Sequence, residues 1–386
     1  MRAWRSFLRR PDPLISRLRP VRRHDATQTA VLGDLVSSRG LVTDATNGDP
    51  HQAAAATTRR HLYLVLDDYK KDRTRKNYGV YKMDVDADLD DGVGSPSASA
   101  PRRLPLPAVI RLQIDAGQCV EIAAEGSCII AKCFFPWMDK HDGTTFVYDM
   151  KTATLSIPSG DGRDVLKNPY HDYHIACRRW WCERVSIGPL LVKAHAVHPR
   201  EATTVFLSGA SMAPVPGPCI FDDVNTTLSY DTRTAGWTDW GSSALPFKGH
   251  AVYDAELDAW IGFHADEKGE VTGHLVACRV PSCQQDWPPD SQVIGEKMLL
   301  DEPGWRHLDA SLVHMAESGE HCIVEQLRRE GTDQTECLPH GDECLLVVTT
   351  FRVGVEHNGI GVTDRRACSY KVSRYDKFFA VRAFWM

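Results

Sequence analysis

No stretch of this 386-residue chain approaches the roughly 18 consecutive apolar residues that a membrane-spanning helix needs, so the chain is expected to be soluble. It has no Gly-x-Ser-x-Gly elbow, no phosphate-binding loop and no His-Glu-x-x-His pair, and with them go the hydrolase, nucleotide and zinc-protease chemistries that such motifs carry. No Gly-Gly pair occurs anywhere, and no long amphipathic helical pattern runs between residues 61 and 386. Acids are almost missing from residues 1–24, where eight arginines face the single Asp12. That segment carries +7, so the rest of a chain of net charge −6 carries −13. An acidic body does not attract phosphate backbones, and no nucleic acid and no membrane are expected as partners.

What is present is a globular composition, 42% hydrophobic, and long enough for one large all-β domain. The twelve cysteines accompany no secretory signal. Most lie among apolar neighbours, as in Cys128-Ile129-Ile130-Ala131, and are expected to be small buried strand residues. Residues 1–60 divide from the rest as a basic arm and disordered linker. Trp4, Phe7 and Leu8 share a face at helical spacing with arginines around it, which resembles a mitochondrial transit peptide; Pro11, Pro13 and Pro20 instead suit a disordered arm. The chain is accordingly expected in the cytoplasm or nucleus, or in mitochondria if residues 1–24 act as a transit peptide.

Residues 220–264 show a complete β-repeat. Tyr230 and Asp231 are followed by Trp237 seven positions after the tyrosine; Tyr253, Asp254 and Trp260 repeat the arrangement, and Tyr148 and Asp149 open a copy with Leu155 in the tryptophan position. Each aspartate is placed to accept a hydrogen bond from a backbone N–H two residues on and close a turn, with the aromatics on the strands it joins. These aromatics read as blade core, because turn-flanking rings at fixed spacing pack adjacent hairpins. Further strand-like runs lie at 61–66, 78–85, 108–114, 118–123, 127–134, 189–197, 203–208, 274–280, 311–315, 321–327, 343–354 and 366–372, with residues 86–104 a loop and 159–183 a less regular excursion. The fold class expected is all-β, a kelch-like β-propeller of six blades over residues 61–386. An open ring leaves two unpaired edges, so the C-terminal strand is expected to pair with the strand at 61–66.

The run from Ala244 to Gly262, together with Leu62–Asp68, Val80–Asp86, Trp305–Val313 and Ala383–Met386, resembles a large cereal-grass family of domains of unknown function, related to plant kelch and F-box-associated propellers. The resemblance covers nearly all of residues 61–386 and brings no catalytic residues. It implies a propeller-like scaffold for protein recognition. The missing double glycine departs from kelch blades, and residues 1–60 have no F-box pattern, so a role in a ubiquitin ligase would need a separate adaptor.

His171, His174, Cys177 and Cys182 are the one cluster of metal-ligand residue types, but four ligands on so short a segment do not match paired zinc motifs, and buried cysteines beside Trp180 and Trp181 are the simpler reading. Asp67 and Asp68 are read as turn charges. The function expected is a non-enzymatic protein-interaction scaffold with an unidentified protein partner and no cofactor. The alternative is a metal-dependent, oxidase-like propeller enzyme, which would need tyrosine, histidine and cysteine ligands converging on one face.

Overall fold

Strand alternation sets the architecture. The structure, a computed structural model, describes residues 61–67, 75–89, 101–104, 107–115, 119–125, 127–134, 144–156, 172–176, 182–186, 190–200, 204–211, 225–282, 287–315, 318–331, 342–357, 359–375 and 380–386. The arm and linker expected over residues 1–60 lie outside these.

The first sheet runs in the order β23 (Arg382–Trp385), β1 (His61–Asp67), β2 (Arg75–Asp84), β4 (Ile110–Asp115). The next is a meander of β5 (Cys119–Glu125), β6 (Cys128–Phe134), β7 (Thr144–Asp149) and β8 (Thr154–Ser156). β9 (Asp172–Ala176) and β10 (Cys182–Ser186) form an antiparallel pair within the segment expected to be irregular. An eight-stranded sheet consists of two meanders. One is β11 (Leu190–Val197), β12 (Thr204–Ser211), β13 (Asn225–Asp231), β14 (Gly236–Gly241); the other is β15 (Phe247–Asp254), β16 (Ala259–Ala265), β17 (Val271–Arg279), β18 (Ser291–Lys297). They join where β11 and β15 run parallel. The last sheet is β19 (Trp305–Met315), β20 (Glu320–Arg329), β21 (Asp342–Glu356) and β22 (Gly359–Arg374), with β3 (Arg102–Arg103) added parallel to β22.

Successive residues of a strand point to opposite faces, and here both faces are apolar. In β1, Leu62, Leu64 and Leu66 pack with Val313 and Met315 of β19, whereas Tyr63 and Val65 pack with Ile122 of β5 and Ile129 of β6. In β16, Ala259, Ile261 and Phe263 join Leu312, Ile323 and Phe351 of the last sheet, while Trp260 between them enters a core with Ala194, Ala196 and Phe206. In β20, Cys322 and Val324 face one neighbouring sheet and Ile323 the other. Each of these sheets is therefore a filling between two others, which is why its strands read as continuous apolar runs.

The opening strands of successive sheets also adjoin. β11 lies against β15, β15 against β19, β19 against β23, and β23 against β5. Sheets stacked face to face with their first strands side by side make a β-propeller-like arrangement. β23 pairs antiparallel with β1, with Leu62 opposite Trp385 and Leu64 opposite Ala383, so the C-terminal strand shares a sheet with the strand at 61–67 as expected.

Two expectations need correction. Residues 85–89, read as part strand and part loop, form the short helix α1 (Val85–Leu89). The backbone N–H of Ala87 donates to Asp84 Oδ1 at 3.3 Å, and Val85 and Leu89, one helical turn apart, are both buried against the first core, so cap and spacing favour a helical turn over an extended one. Asp67 is not a solvated turn charge. It is buried, and its Oδ2 accepts the Tyr375 backbone N–H at 2.6 Å, tying the end of β1 to the segment after β22. Asp68 lies outside the described residues.

Buried strand positions should dominate stability. Leu64→Ala, at a fully enclosed position between two sheets, is expected to cost about 2–5 kcal/mol, whereas Val355→Ala, at a position 80% exposed near the β21–β22 hairpin tip, should change stability by less than about 0.5 kcal/mol. Urea unfolding followed by tryptophan fluorescence checks both.

Candidate functional site

The three Tyr-Asp turns are built alike. Asp149 Oδ1 accepts the Lys151 N–H at 2.9 Å, Asp231 Oδ1 the Arg233 N–H at 2.9 Å, and Asp254 Oδ1 the Glu256 and Leu257 N–H groups at 2.9 and 3.0 Å. Four residues after each aspartate the chain takes a positive φ: 53° at Ala153, 52° at Ala235 and 48° at Asp258. This brings Tyr148 opposite Leu155, Tyr230 opposite Trp237 and Tyr253 opposite Trp260. Trp260 is fully buried and its Nε1–H donates to the Val197 carbonyl at 3.0 Å, tying two meanders together. Trp237 departs from the expectation of blade core. Its ring lies tilted against Tyr230 at 4.7 Å, but it stands on the outer strand β14, which leaves it 37% exposed.

The second carboxylate oxygen separates the copies. In the first two it accepts a hydroxyl three residues on, from Thr152 at 3.0 Å and Thr234 at 2.8 Å. In the third that position is Leu257, which has no hydroxyl. Asp254 Oδ2 instead stands 3.5 Å from His321 Nε2. His321 on β20 is paired across the hairpin with His314 on β19, their rings 4.7 Å apart, and the other side of His321 stacks on Phe351. Burial pushes the His321 pKa down to about 3, helped by His314. One ligand atom from each of Asp254, His314 and His321 lies within 4.8 Å of the others. The His307–Glu325 pair, toward the other end of the same hairpin, is different in kind: Nδ1 meets Oε1 at 2.9 Å, Oε2 accepts the Leu300 N–H at 3.0 Å, and the buried carboxylate is satisfied.

A second polar group gathers on the opening strands. His195 on β11 lies beside His250 on β15, rings stacked 5.0 Å apart, because the two strands pair in parallel register there. Burial lowers the His195 pKa to about 3, with His250 and the Arg382 guanidinium adding to the effect. His250 is exposed, yet the protein atoms around its ring also lower its pKa by desolvation. Arg382 on β23 stands 3.7 Å from Asp309 on β19, whose carboxyl burial pushes up against the pull of Arg382. Two neutral imidazoles, a guanidinium and a carboxylate on four adjoining strands can both donate and accept hydrogen bonds.

Of these residues the sequence pattern singles out only Asp254, and as a turn residue. The available signal was His314 and His321 flanking the turn of one hairpin, which places them opposite each other. The expected ligand types His171, His174, Cys177 and Cys182 fall partly on β9 and β10, but His171, Cys177 and all four side chains lie outside the described residues. Cys128, Cys133, Cys278, Cys322 and Cys368 are buried in strands as expected, and burial pushes the thiols of Cys278 and Cys322 up to about 12, so they do not ionise near neutral pH.

Sheets sandwiched on both faces, joined along their opening strands, define an all-β protein of β-propeller-like fold. The chain belongs to the family described as Protein of unknown function (DUF1668), which matches residues 59–170 and 167–370. Comparison with curated proteins gives no match. Among solved structures the chain is similar to TolB from Acinetobacter baumannii, at 9% identity and a TM-score of 0.35, over 85% of this chain and 66% of that one, so it spans just under two thirds of that protein. It is also similar to a protein proposed to be a 6-phosphogluconolactonase from Bacteroides fragilis, at 11% identity and a TM-score of 0.35, over 85% of this chain and 99% of that one. The architecture rests on the strand pairing above and not on these likenesses.

The depressed histidines make stability pH-dependent. His195 and His321 sit near pKa 3 in the folded chain against 6.5 ordinarily, so between these values the unfolded state binds more protons. Their contribution is fully present above pH 6.5 and is lost as pH falls toward 3, by up to about 1.4 kcal/mol per pH unit for each ring. With EDTA in the buffer, the urea midpoint of the wild type should fall more steeply from pH 7 to pH 4 than that of His321→Gln; parallel slopes would contradict the assignment.

Proposed function

We propose that this chain is a non-enzymatic protein-interaction scaffold, a kelch-like propeller of six blades. Six is supported by five four-stranded meanders, counting the sheet closed by β23, plus the β9–β10 pair, which stands between β8 and β11 in the chain as the part of a further blade. Kelch type is supported by the three Tyr-Asp turns of common geometry.

The observation that carries the recognition role is where the large exposed apolar side chains lie. Among the described residues they are Val109, Leu155, Val197, Trp237, Val293 and Val355. Leu155, Trp237 and Val293 stand on β8, β14 and β18, each the terminal strand of its sheet, and Val109 directly precedes the terminal strand β4. A terminal strand presents backbone donors and acceptors, and an apolar side chain beside it supplies the specificity pocket or anchor that an added strand uses. Recognition of an extended segment of a partner protein along these edges is the activity that this arrangement serves. In this account residues 1–24 target or tether the scaffold, in the cytoplasm or nucleus, or in mitochondria if they act as a transit peptide.

The test is proximity labelling in plant cells with the full-length chain, a chain lacking residues 1–58, and a full-length triple variant Leu155→Lys, Trp237→Lys, Val293→Lys. The first two should capture a common set of proteins and the third should lose it, with stability shifted by about 0.5 kcal/mol at Leu155 and Val293 and by about 1–2 kcal/mol at Trp237, whose ring packs on Tyr230. A common set captured equally by the triple variant, or no enrichment by any chain, would overturn the edge-recognition reading.

A further inference from the structure

The third Tyr-Asp turn differs from the other two at several positions, and one of them decides what its aspartate faces. Where Thr152 and Thr234 give a hydroxyl to the second oxygen of Asp149 and Asp231, Leu257 gives none to Asp254. Asp254 is only 2% exposed, its Oδ1 is spent on two backbone N–H groups, and its Oδ2 is directed at His321. His321 is fully enclosed, and neither of its ring nitrogens has a hydrogen-bond partner. A buried imidazole in that state is unusual, because buried polar groups are paired almost without exception. His314 stands opposite it in the hairpin and is only partly buried, so the trio has a closed side and an open side.

We propose that Asp254, His314 and His321 bind a divalent transition-metal ion of the zinc type. Two imidazoles and a carboxylate are a ligand set that zinc accepts, with the fourth position left for water. Bonds of about 2.0 Å in tetrahedral array put ligand atoms about 3.3 Å apart. The present arrangement, within 4.8 Å, therefore closes on the ion by small side-chain rotations. The fourth position lies toward the open side, where Glu256 acts electrostatically on His314 and its carboxylate comes close to Gly319 in the hairpin turn. The second ring nitrogen of each histidine remains to be oriented by its surroundings, as is usual around a metal. The ion would bridge the end of β15 to the β19–β20 hairpin, clamping two neighbouring sheets at the edge of their shared core. This inference is independent of the edge-recognition reading and survives or fails without it.

The experiment uses the full-length protein, stripped with a chelator and dialysed, then titrated with Zn2+ by calorimetry and with Co2+ by visible absorption. One ion per chain is expected, with a Co2+ ligand-field band of low coordination number and a rise in the thermal midpoint on adding Zn2+. His314→Gln, at a partly exposed position, should weaken binding at least tenfold. Leu257→Thr, which restores the hydroxyl of the other two turns and draws Asp254 Oδ2 away, should also weaken it at least tenfold while circular dichroism shows the fold retained. No stoichiometric binding by the stripped wild type would overturn the proposal. So would binding of undiminished affinity in both variants, which would place the ion on other ligands.

Discussion

The sheets that hold β1, β16 and β20 are buried on both faces, and that constraint organises much of the molecule. A strand whose odd residues enter one core and even residues another cannot be satisfied by a single partner sheet, so the sheets stack in succession. β1 does this with leucines on one face and Tyr63 and Val65 on the other, and β16 does it with Ile261 and Trp260. Stacking in turn brings the opening strands side by side, and the stack's first sheet takes its own opening strand from the far end of the chain. The long-range contact between β1 and β23 is thus a consequence of two-sided burial, since an unpaired β1 edge would leave an apolar strand open to association.

Side-chain hydrogen bonds fix the turns that this stacking demands. A tight reversal that places two aromatics opposite each other needs one residue at positive φ, and in all three copies a non-glycine occupies it at a position held by the aspartate's grip on the backbone. A carboxylate has more accepting capacity than the turn uses. The surplus oxygen is met by threonine in two copies and by nothing comparable in the third, and it is there that a fully enclosed histidine faces it. Loss of the threonine from this copy of the repeat has thereby left a buried carboxylate oxygen facing an enclosed histidine.

The strands, the Tyr-Asp turns and the pairing of the C-terminal strand with β1 could be read from the sequence, because each depends on local pattern: alternation, an aspartate at a fixed offset, an apolar run at 61–66 and another at 380–386. What could not be read depends on juxtaposition. His195 and His250 meet only because β11 and β15 run parallel, and Asp309 and Arg382 only because β19 adjoins β23. Asp67 looked like a turn charge, since nothing near it in sequence announces Tyr375 as its partner. Val85–Leu89 became helical because two buried residues one turn apart and an aspartate cap outweighed a run that lacks helical periodicity over any greater length. The His171, His174, Cys177, Cys182 group was visible by residue type alone, and type without placement does not define a site.

β1 is an interior strand, enclosed on both faces and paired on both edges. Hydrogen–deuterium exchange of the full-length chain, compared with one lacking residues 382–386, measures this directly. Amides of Leu62–Val65 should exchange only through global unfolding in the intact protein and become exchangeable by local opening once β23 is removed. Fast exchange of β1 in the intact protein, or exchange indifferent to the loss of β23, would contradict it.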